Sequence, residues 1–418
     1  MHVVILSDQE TIGGAAVSCS RLAEGLCALG SRVTRLVNTP DGQEHPWTTK
    51  PIVRRYRQVV ALGIVKYLFG ERLYERLALT GAHRRLGRAL AELRPDVINV
   101  HNLHGAGHAG WSPQLLRICC RYAPTIWTLH DMWSFTGRCA YAYDCRKFVT
   151  GCDAYCQTAE EYPVLAPEVI PFAWKRRQRL FAELPDLVAV CPSWWLAQEA
   201  LVGTWAGHRA EVIPYGVPLE VYQAIDRELA RAALGIEAPG LVLLTVAQEL
   251  TERRKGGQVL IEAMQRVSSR PLTLVTLGHN RLPIHVDGVQ VHHLGYIDHE
   301  RTKVLAYSAA DVLVHPAPVD NLPNTIIEAI ACGTPCVGFA IGGVPDMVRS
   351  GETGWLAEEV SPEALARMID KALGDIRRGL NLRTLCRAVA EAEYGLDGQA
   401  RKYLELFESL SGVAVAAK

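Results

Sequence analysis

The sequence predicts an α/β protein of two Rossmann-like domains, and three observations carry that expectation. The chain has 418 residues, more than the ~250–300 at which one hydrophobic core stops growing. Short apolar runs alternate with longer amphipathic segments in both halves, the pattern of parallel sheets flanked by helices. Between the halves, Val212-Ile-Pro-Tyr-Gly216-Val-Pro218 has the Pro and Gly punctuation of an interdomain hinge. The expected division is 1–212, 213–392 and a terminal segment 393–418.

The opening reads as a βαβ unit. His2–Ser7 is a short apolar strand, Thr11-Ile-Gly13-Gly14-Ala-Ala turns into a helix over about Val17–Leu29, Gly30 is a C-cap, and Arg32–Val37 returns as a strand. There is no G-x-G-x-x-G run, only the pair Gly13 and Gly14, which lets backbone amides approach a ligand closely. Further strands are expected at Asp96–His101, Thr125–His130 and Leu187–Cys191. The first two close on histidines, so His101, His104, His130 and Asp131 fall at the carboxyl ends of parallel strands, where open α/β sheets build their sites. For His130 two readings stand: a donor of a hydrogen bond to a ligand hydroxyl or phosphate, or a core-capping ring bonded to backbone. Trp111, Trp127, Trp133, Trp194 and Trp195 in this half could stack on sugar rings or simply fill a core.

The second half repeats the alternation with strands at Leu241–Ala247, Leu272–Leu277, Val289–Leu294, Val312–His315 and Pro335–Phe339. Amphipathic helices follow at Glu363–Leu373, Leu382–Ala392 and about Asp397–Leu410, with stops at Gly374 and Gly395. Between the first of these strands and its helix sit Arg253, Arg254, Lys255 and two glycines. Three consecutive cations before a tight turn point at a phosphate; the competing reading is solvent-facing pairs to Glu249 or Glu252.

Hydrophobic residues make up 49% of the chain, and 44 basic residues balance 44 acidic ones, so no global attraction to nucleic acid is expected. The local balance differs. From Arg54 to Arg88 nine basic residues face two acids, Glu71 and Glu75, interleaved with apolar residues. Such a region can lie on an anionic membrane surface or form a solvated helix pair on the domain. No apolar run reaches the ~18–20 residues of a spanning helix, and MHVVILSD lacks a signal peptide's cationic n-region. The expectation is a cytoplasmic chain, with the inner face of the membrane as a peripheral position.

Twelve cysteines are present, and Cys139, Cys145, Cys152 and Cys156 cluster in one loop over 139–156. Four thiolates so close could complete a structural zinc site. Their irregular spacing, without compact CxxC pairs, leaves free buried thiols as the alternative, with two disulfides third.

The most informative segment runs Asp320-Asn321-Leu322-Pro323-Asn324-Thr325-Ile-Ile-Glu328, then Gly333-Thr-Pro335 and Gly342-Gly343. Two carboxylates stand eight positions apart across a loop-to-helix junction. Pro323 suits a first helical turn, so a helix is expected to start near Leu322 and to turn its amides and positive dipole end toward an anion. Asp320 outside the helix can accept from sugar hydroxyls, and Glu328 inside it from a ribose diol.

This segment resembles the signature of the retaining glycosyltransferases of the GT-B fold, family four, in which an acid, seven residues and a Glu mark the donor site. The likeness extends to the glycine loop, the His130-Asp131 pair, the Lys255-Gly256 turn and the strand order. The family normally has Glu at the first acid, where this chain has Asp320, and Gln248 stands where an arginine is common, with Arg253 or, preferably, Arg254 in its stead. The resemblance implies transfer of a sugar from a nucleotide-diphosphate donor, with UDP or GDP as base, to a glycan or lipid-linked acceptor hydroxyl in polysaccharide biosynthesis. No catalytic cofactor is implied. It assigns Lys255 and Arg254 to the diphosphate and Asp320 and His130 to the sugar. Glu328 would take the ribose, Asn321 to Thr325 the β-phosphate, Tyr296 and Ile297 the base, and Gly13 and Gly14 the donor phosphates. His101, His104 and Asp131 would lie on the acceptor side, and the final helix would cross back to the first domain. A sugar-nucleotide epimerase and a non-catalytic scaffold of the same fold are the alternative functions.

Overall fold

The computed structural model describes residues 1–52, 71–104, 111–237 and 240–413. The chain divides into two compact units, Met1–Ile213 with Gln399–Lys418, and Pro214–Gly398.

The first unit is built on a seven-stranded sheet in the order β3-β2-β1-β4-β5-β6-β7, parallel throughout. Its strands are β1 (His2–Gln9), β2 (Arg32–Thr39), β3 (Thr48–Pro51), β4 (Val97–Val100), β5 (Thr125–Thr128), β6 (Val188–Cys191) and β7 (Ala210–Val212). The central strands are buried on both faces, as a parallel sheet under crossover helices requires. Alternate residues therefore feed two cores. Val4, Leu6, Ile98, Val100 and Trp127 pack with Leu86, Leu90, Phe181 and Trp205 on one face. Val3, Ile5, Ile126 and Val190 pack on the other with Leu22 and Leu26 and with Tyr403 and Phe407 of the terminal helix, Leu396–Ser411.

The second unit carries a six-stranded parallel sheet in the order β10-β9-β8-β11-β12-β13. Its strands are β8 (Leu241–Glu249), β9 (Leu272–His279), β10 (Val289–Gly295), β11 (Val312–His315), β12 (Cys336–Phe339) and β13 (Gly354–Ala357). In both sheets the strand order reverses beside the first strand, between β1 and β4 and between β8 and β11. That is where open α/β sheets place their ligands.

Three strands escape the hydrophobic pattern: β3, β7 and β13. Two are short and sit at the edges of the first sheet, where β3 is polar and ends on Pro51, and a strand covered on one side needs little apolar signal. The third, β13, is only four residues long and opens on a glycine. The expected stop at Gly374 is not used, and the helix runs Pro362–Arg377. A mid-helix glycine costs ~1 kcal/mol, less than the burial of Leu365, Ile369, Ala372 and Leu373 returns.

Of the basic segment 54–88, residues 54–70 lie outside the described residues. The remainder belongs to the helix Glu71–Leu93, whose Ala82, Leu86 and Leu90 are buried in the first unit's core. That row is spent on packing, while Leu77 on the same helix is 44% exposed. Among the described residues no helix is long and apolar enough to cross a membrane.

Candidate functional site

In the second unit the loops following β8 and β11 meet at the reversal point. Gly256 makes the meeting possible. Its φ is +74°, and a β-carbon there would overlap the Pro316 carbonyl oxygen. With the two backbones in contact, Lys255 Nζ reaches Asp320 Oδ2 at 2.9 Å and Arg254 Nη1 stands 3.8 Å from the same oxygen. Arg254 also pairs with Glu252 at 3.1 Å, so the solvent-facing and site-facing readings of this arginine both hold. Asp320 is 5% exposed, and its Oδ1 accepts from the Asn321 amide at 2.9 Å. Burial alone would push this carboxyl up, but Lys255, then Arg254 and His315, hold it well below the usual carboxylate range.

His315 was not among the expected site residues. It closes β11 as His101 and His130 follow β4 and β5, so the same signal, a histidine at the carboxyl end of a parallel strand, would have found it. The ring is buried, with Nε2 3.6 Å from Asp320 Oδ2 and without a hydrogen-bond partner for Nε2 among the described residues. Burial pushes its pKa down to about 4, Asp320 opposing and Lys255 and Arg254 adding to the fall.

The helix expected near Leu322 begins two residues later, spanning Asn324–Ala331, with Pro323 as its N-cap at ψ 121°. Asn321, Leu322 and Pro323 thus form a buried turn rather than a first helical turn. The proline ring fixes φ while the extended ψ redirects the chain, so the amides of Asn324 and Thr325 open the helix. One turn further in, Glu328 is buried and its Oε2 accepts from the Tyr307 hydroxyl at 2.7 Å. Burial, then the Glu328 charge, pushes the Tyr307 hydroxyl well above its ordinary value, which keeps it a donor. Tyr307 comes from another helix, Glu300–Ala309, and nothing local in the sequence couples it to Glu328. Tyr296 and Ile297 follow edge strand β10. Tyr296 is half exposed and stacks on His279 with ring centroids 4.3 Å apart, while Ile297 packs against the unit's core.

In the first unit Gly13 caps the helix Gly14–Ala28 with φ 93°, a conformation L side chains rarely adopt. The four strand-end residues form two pairs. His101 Nδ1 lies 2.9 Å from His130 Nε2, both rings buried, so one nitrogen of the contact carries the shared proton. Burial drives His101 well below its ordinary value and His130 to about 4, with Asp131 opposing the second shift. His104 Nε2 lies 3.0 Å from Asp131 Oδ2, and Asp131 caps the turn Met132–Ser134 by accepting from the Trp133 amide at 2.8 Å. Of the tryptophans, Trp127 is core and Trp194 is exposed.

The zinc expectation at Cys139, Cys145, Cys152 and Cys156 gains no support, and none of the four is in a disulfide. Among the described residues the group with three or more possible ligand atoms within 4.8 Å of one another is Glu10, Asp41 and His45, which excludes the thiols. Cys139 and Cys156 each approach the Thr158 hydroxyl, at 3.6 and 3.8 Å, and Cys152 accepts from the Gly137 amide. The loop is anchored in the first unit's core: Phe148 of the loop is buried in it against Phe135, and the loop carries a helical turn at Lys147–Thr150, so a metal is not needed to replace missing apolar burial.

Two family models match the chain: one described as Glycosyltransferase Family 4 over residues 12–221, half of the chain, and one described as Glycosyl transferases group 1 over 240–375. The chain is 25% identical over 289 residues to the putative colanic acid biosynthesis glycosyl transferase WcaC of Escherichia coli, covering 68% of each. It is 30% identical over 206 residues to D-inositol 3-phosphate glycosyltransferase 1 of Catenulispora acidiphila, 44% of this chain and 48% of that one. It thus spans about half the length of that second relative. Among solved structures, sucrose-phosphate synthase from Thermosynechococcus elongatus superposes with a TM-score of 0.70 at 21% identity, over 99% of this chain and 100% of the other. Anabaena HepE in complex with UDP-glucose gives 0.68 at 15%, over 98% and 100%.

Proposed function

Because the chain belongs to glycosyltransferase family 4, we propose that it moves a sugar from a uridine-diphosphate donor to an acceptor hydroxyl with the anomeric configuration retained. The acceptor would be a growing polysaccharide or a lipid-linked glycan, which would bring the enzyme to the inner face of a membrane. The observation that carries the reading is the buried Asp320 carboxylate with Lys255 and Arg254 gathered on it, beside the opening amides of the helix that holds Glu328.

In the free protein those two cations neutralise Asp320. A diphosphate entering at the helix end offers them a second anion, and Asp320 is then left to accept from hydroxyls of the sugar. As the sugar–phosphate bond breaks, negative charge grows on the departing oxygen, where fixed ammonium and guanidinium groups stabilise it without reorganising. The acceptor hydroxyl attacks on the face the diphosphate leaves, through an oxocarbenium-like state, and the leaving phosphate oxygen takes its proton. Glu328, oriented by the Tyr307 hydroxyl, would accept from the ribose diol, and Tyr296 and Ile297 would flank the base. In the first unit, His130 would donate to the sugar and His104 with Asp131 would receive the acceptor.

A thermal-shift screen against UDP, GDP, ADP and their sugars tests the donor, since a ligand at ~100 times its dissociation constant adds ~2.7 kcal/mol. UDP is expected to give the largest shift. Lys255→Ala and Glu328→Ala should each lower sugar transfer at least tenfold, about 1.4 kcal/mol of transition-state stabilisation. Transfer within twofold of wild type in both would overturn the assignment, and sugar conversion without any acceptor would favour the epimerase instead.

A further inference from the structure

A cavity of about 260 Å³ opens at the amino ends of β11 and β12, the opposite end of the sheet from Lys255 and Asp320, with Arg227, Asp311, Trp355, Asn381 and Arg383 in its wall. Asp311 is buried and already saturated: it receives Arg227 at 2.7 Å, Arg231 at 2.8 Å and the Val242 amide at 2.7 Å. Arg231 has a second acid in Glu228 at 3.3 Å. Arg383 has none among the described residues. Its Nη2 donates only to the Ile225 carbonyl at 3.3 Å, and its Nη1 is buried with no partner.

A cation in this position is unfavourable on three counts. Arg383 is half-buried, and its Nη1 is withdrawn from water unsatisfied. It faces a like charge, for burial and then the Arg227 guanidinium both push its pKa down. It also opens the helix Arg383–Glu393, whose positive dipole end repels it, although the first amide, that of Arg383, is met by Asn381 Oδ1 at 3.1 Å. Two guanidinium groups converging on one cavity, one of them with a buried N–H that has no partner among the described residues, are what a bound anion requires.

We propose that this cavity binds a small oxyanion of the phosphate class, received by Arg383 and Arg227 and separate from the donor site. The inference goes beyond the glycosyl-transfer reading and does not depend on it. Isothermal titration of the full chain with inorganic phosphate, and separately with glucose 1-phosphate, tests it in wild type, Lys255→Ala, Arg383→Gln and Arg383→Lys. Wild type and Lys255→Ala should bind alike, Arg383→Gln at least tenfold more weakly, and Arg383→Lys, which keeps the charge but loses the fork, at least threefold more weakly. Without anion, Arg383→Gln should melt at or above the wild-type temperature, and phosphate should raise the Tm of wild type and Lys255→Ala alike and that of Arg383→Gln less. Tighter binding of either probe supports the site and tells a free phosphate from a phosphomonoester. Absence of binding, binding lost in Lys255→Ala, or Arg383→Gln within twofold of wild type would overturn it.

Discussion

His315 and His130 set the acid limit of this protein. Both are buried rings held at about 4, against 6.5 for an exposed histidine. A basic group with a lowered folded pKa takes its proton first in the unfolded chain, so acid favours unfolding between pH 6.5 and 4. Stability is whole above that window and falls inside it, by about 2 kcal/mol per histidine at pH 5. Asp320 works lower: its depressed pKa contributes stability above the unfolded carboxyl value of ~3.9 that is lost only as pH drops further. Urea unfolding at pH 7 and pH 5 should show the loss in both units, since the two histidines belong to different ones. His315→Gln should spare the second unit most of it; equal losses in wild type and variant would count against this assignment. At this scale the sequence marked histidines at strand ends but not their state, because protonation depends on what buries them.

Between elements, the informative contacts are those joining helices distant in the chain. Tyr307 on Glu300–Ala309 holds Glu328 on Asn324–Ala331. A neutral hydroxyl donating to a buried carboxylate contributes ~1.5–3 kcal/mol, and here it also fixes the orientation of the carboxylate. Tyr307→Phe should therefore raise the donor KM about tenfold or more while kcat falls less, measured with a UDP-sugar series. An unchanged KM would remove Tyr307 from the donor site. The acid pair itself was legible, because eight residues across a loop–helix junction place both carboxylates near one helix start. The start was misplaced by two residues because Pro323 fits both an N-cap and a first turn, and only its observed ψ separates them. The cysteine loop failed for a related reason: local clustering of thiols says nothing of Phe135 and Phe148, whose burial makes a metal unnecessary.

Across the whole molecule, the chain leaves the first unit after Ile213, builds the second, and comes back with its last helix. That helix is part of the first unit's core: Phe407 is fully buried, and the Tyr403 hydroxyl lies 2.9 Å from Thr128 Oγ1 on β5. Phe407→Ala should destabilise the first unit by ~3–5 kcal/mol, visible as an earlier urea transition, with the second unit's transition unmoved. A shift in the second unit alone would contradict the packing. Strand number aside, both Rossmann-like sheets were determined by the sequence itself, because buried parallel strands and glycine turns leave signals within a dozen residues. What only the tertiary structure decided is which groups meet. Lys255 lies 65 positions from Asp320, His101 lies 29 from His130, and Arg383 lines a cavity with Arg227. Pairings of that range arise from strand order, and no local pattern encodes the order in which strands assemble.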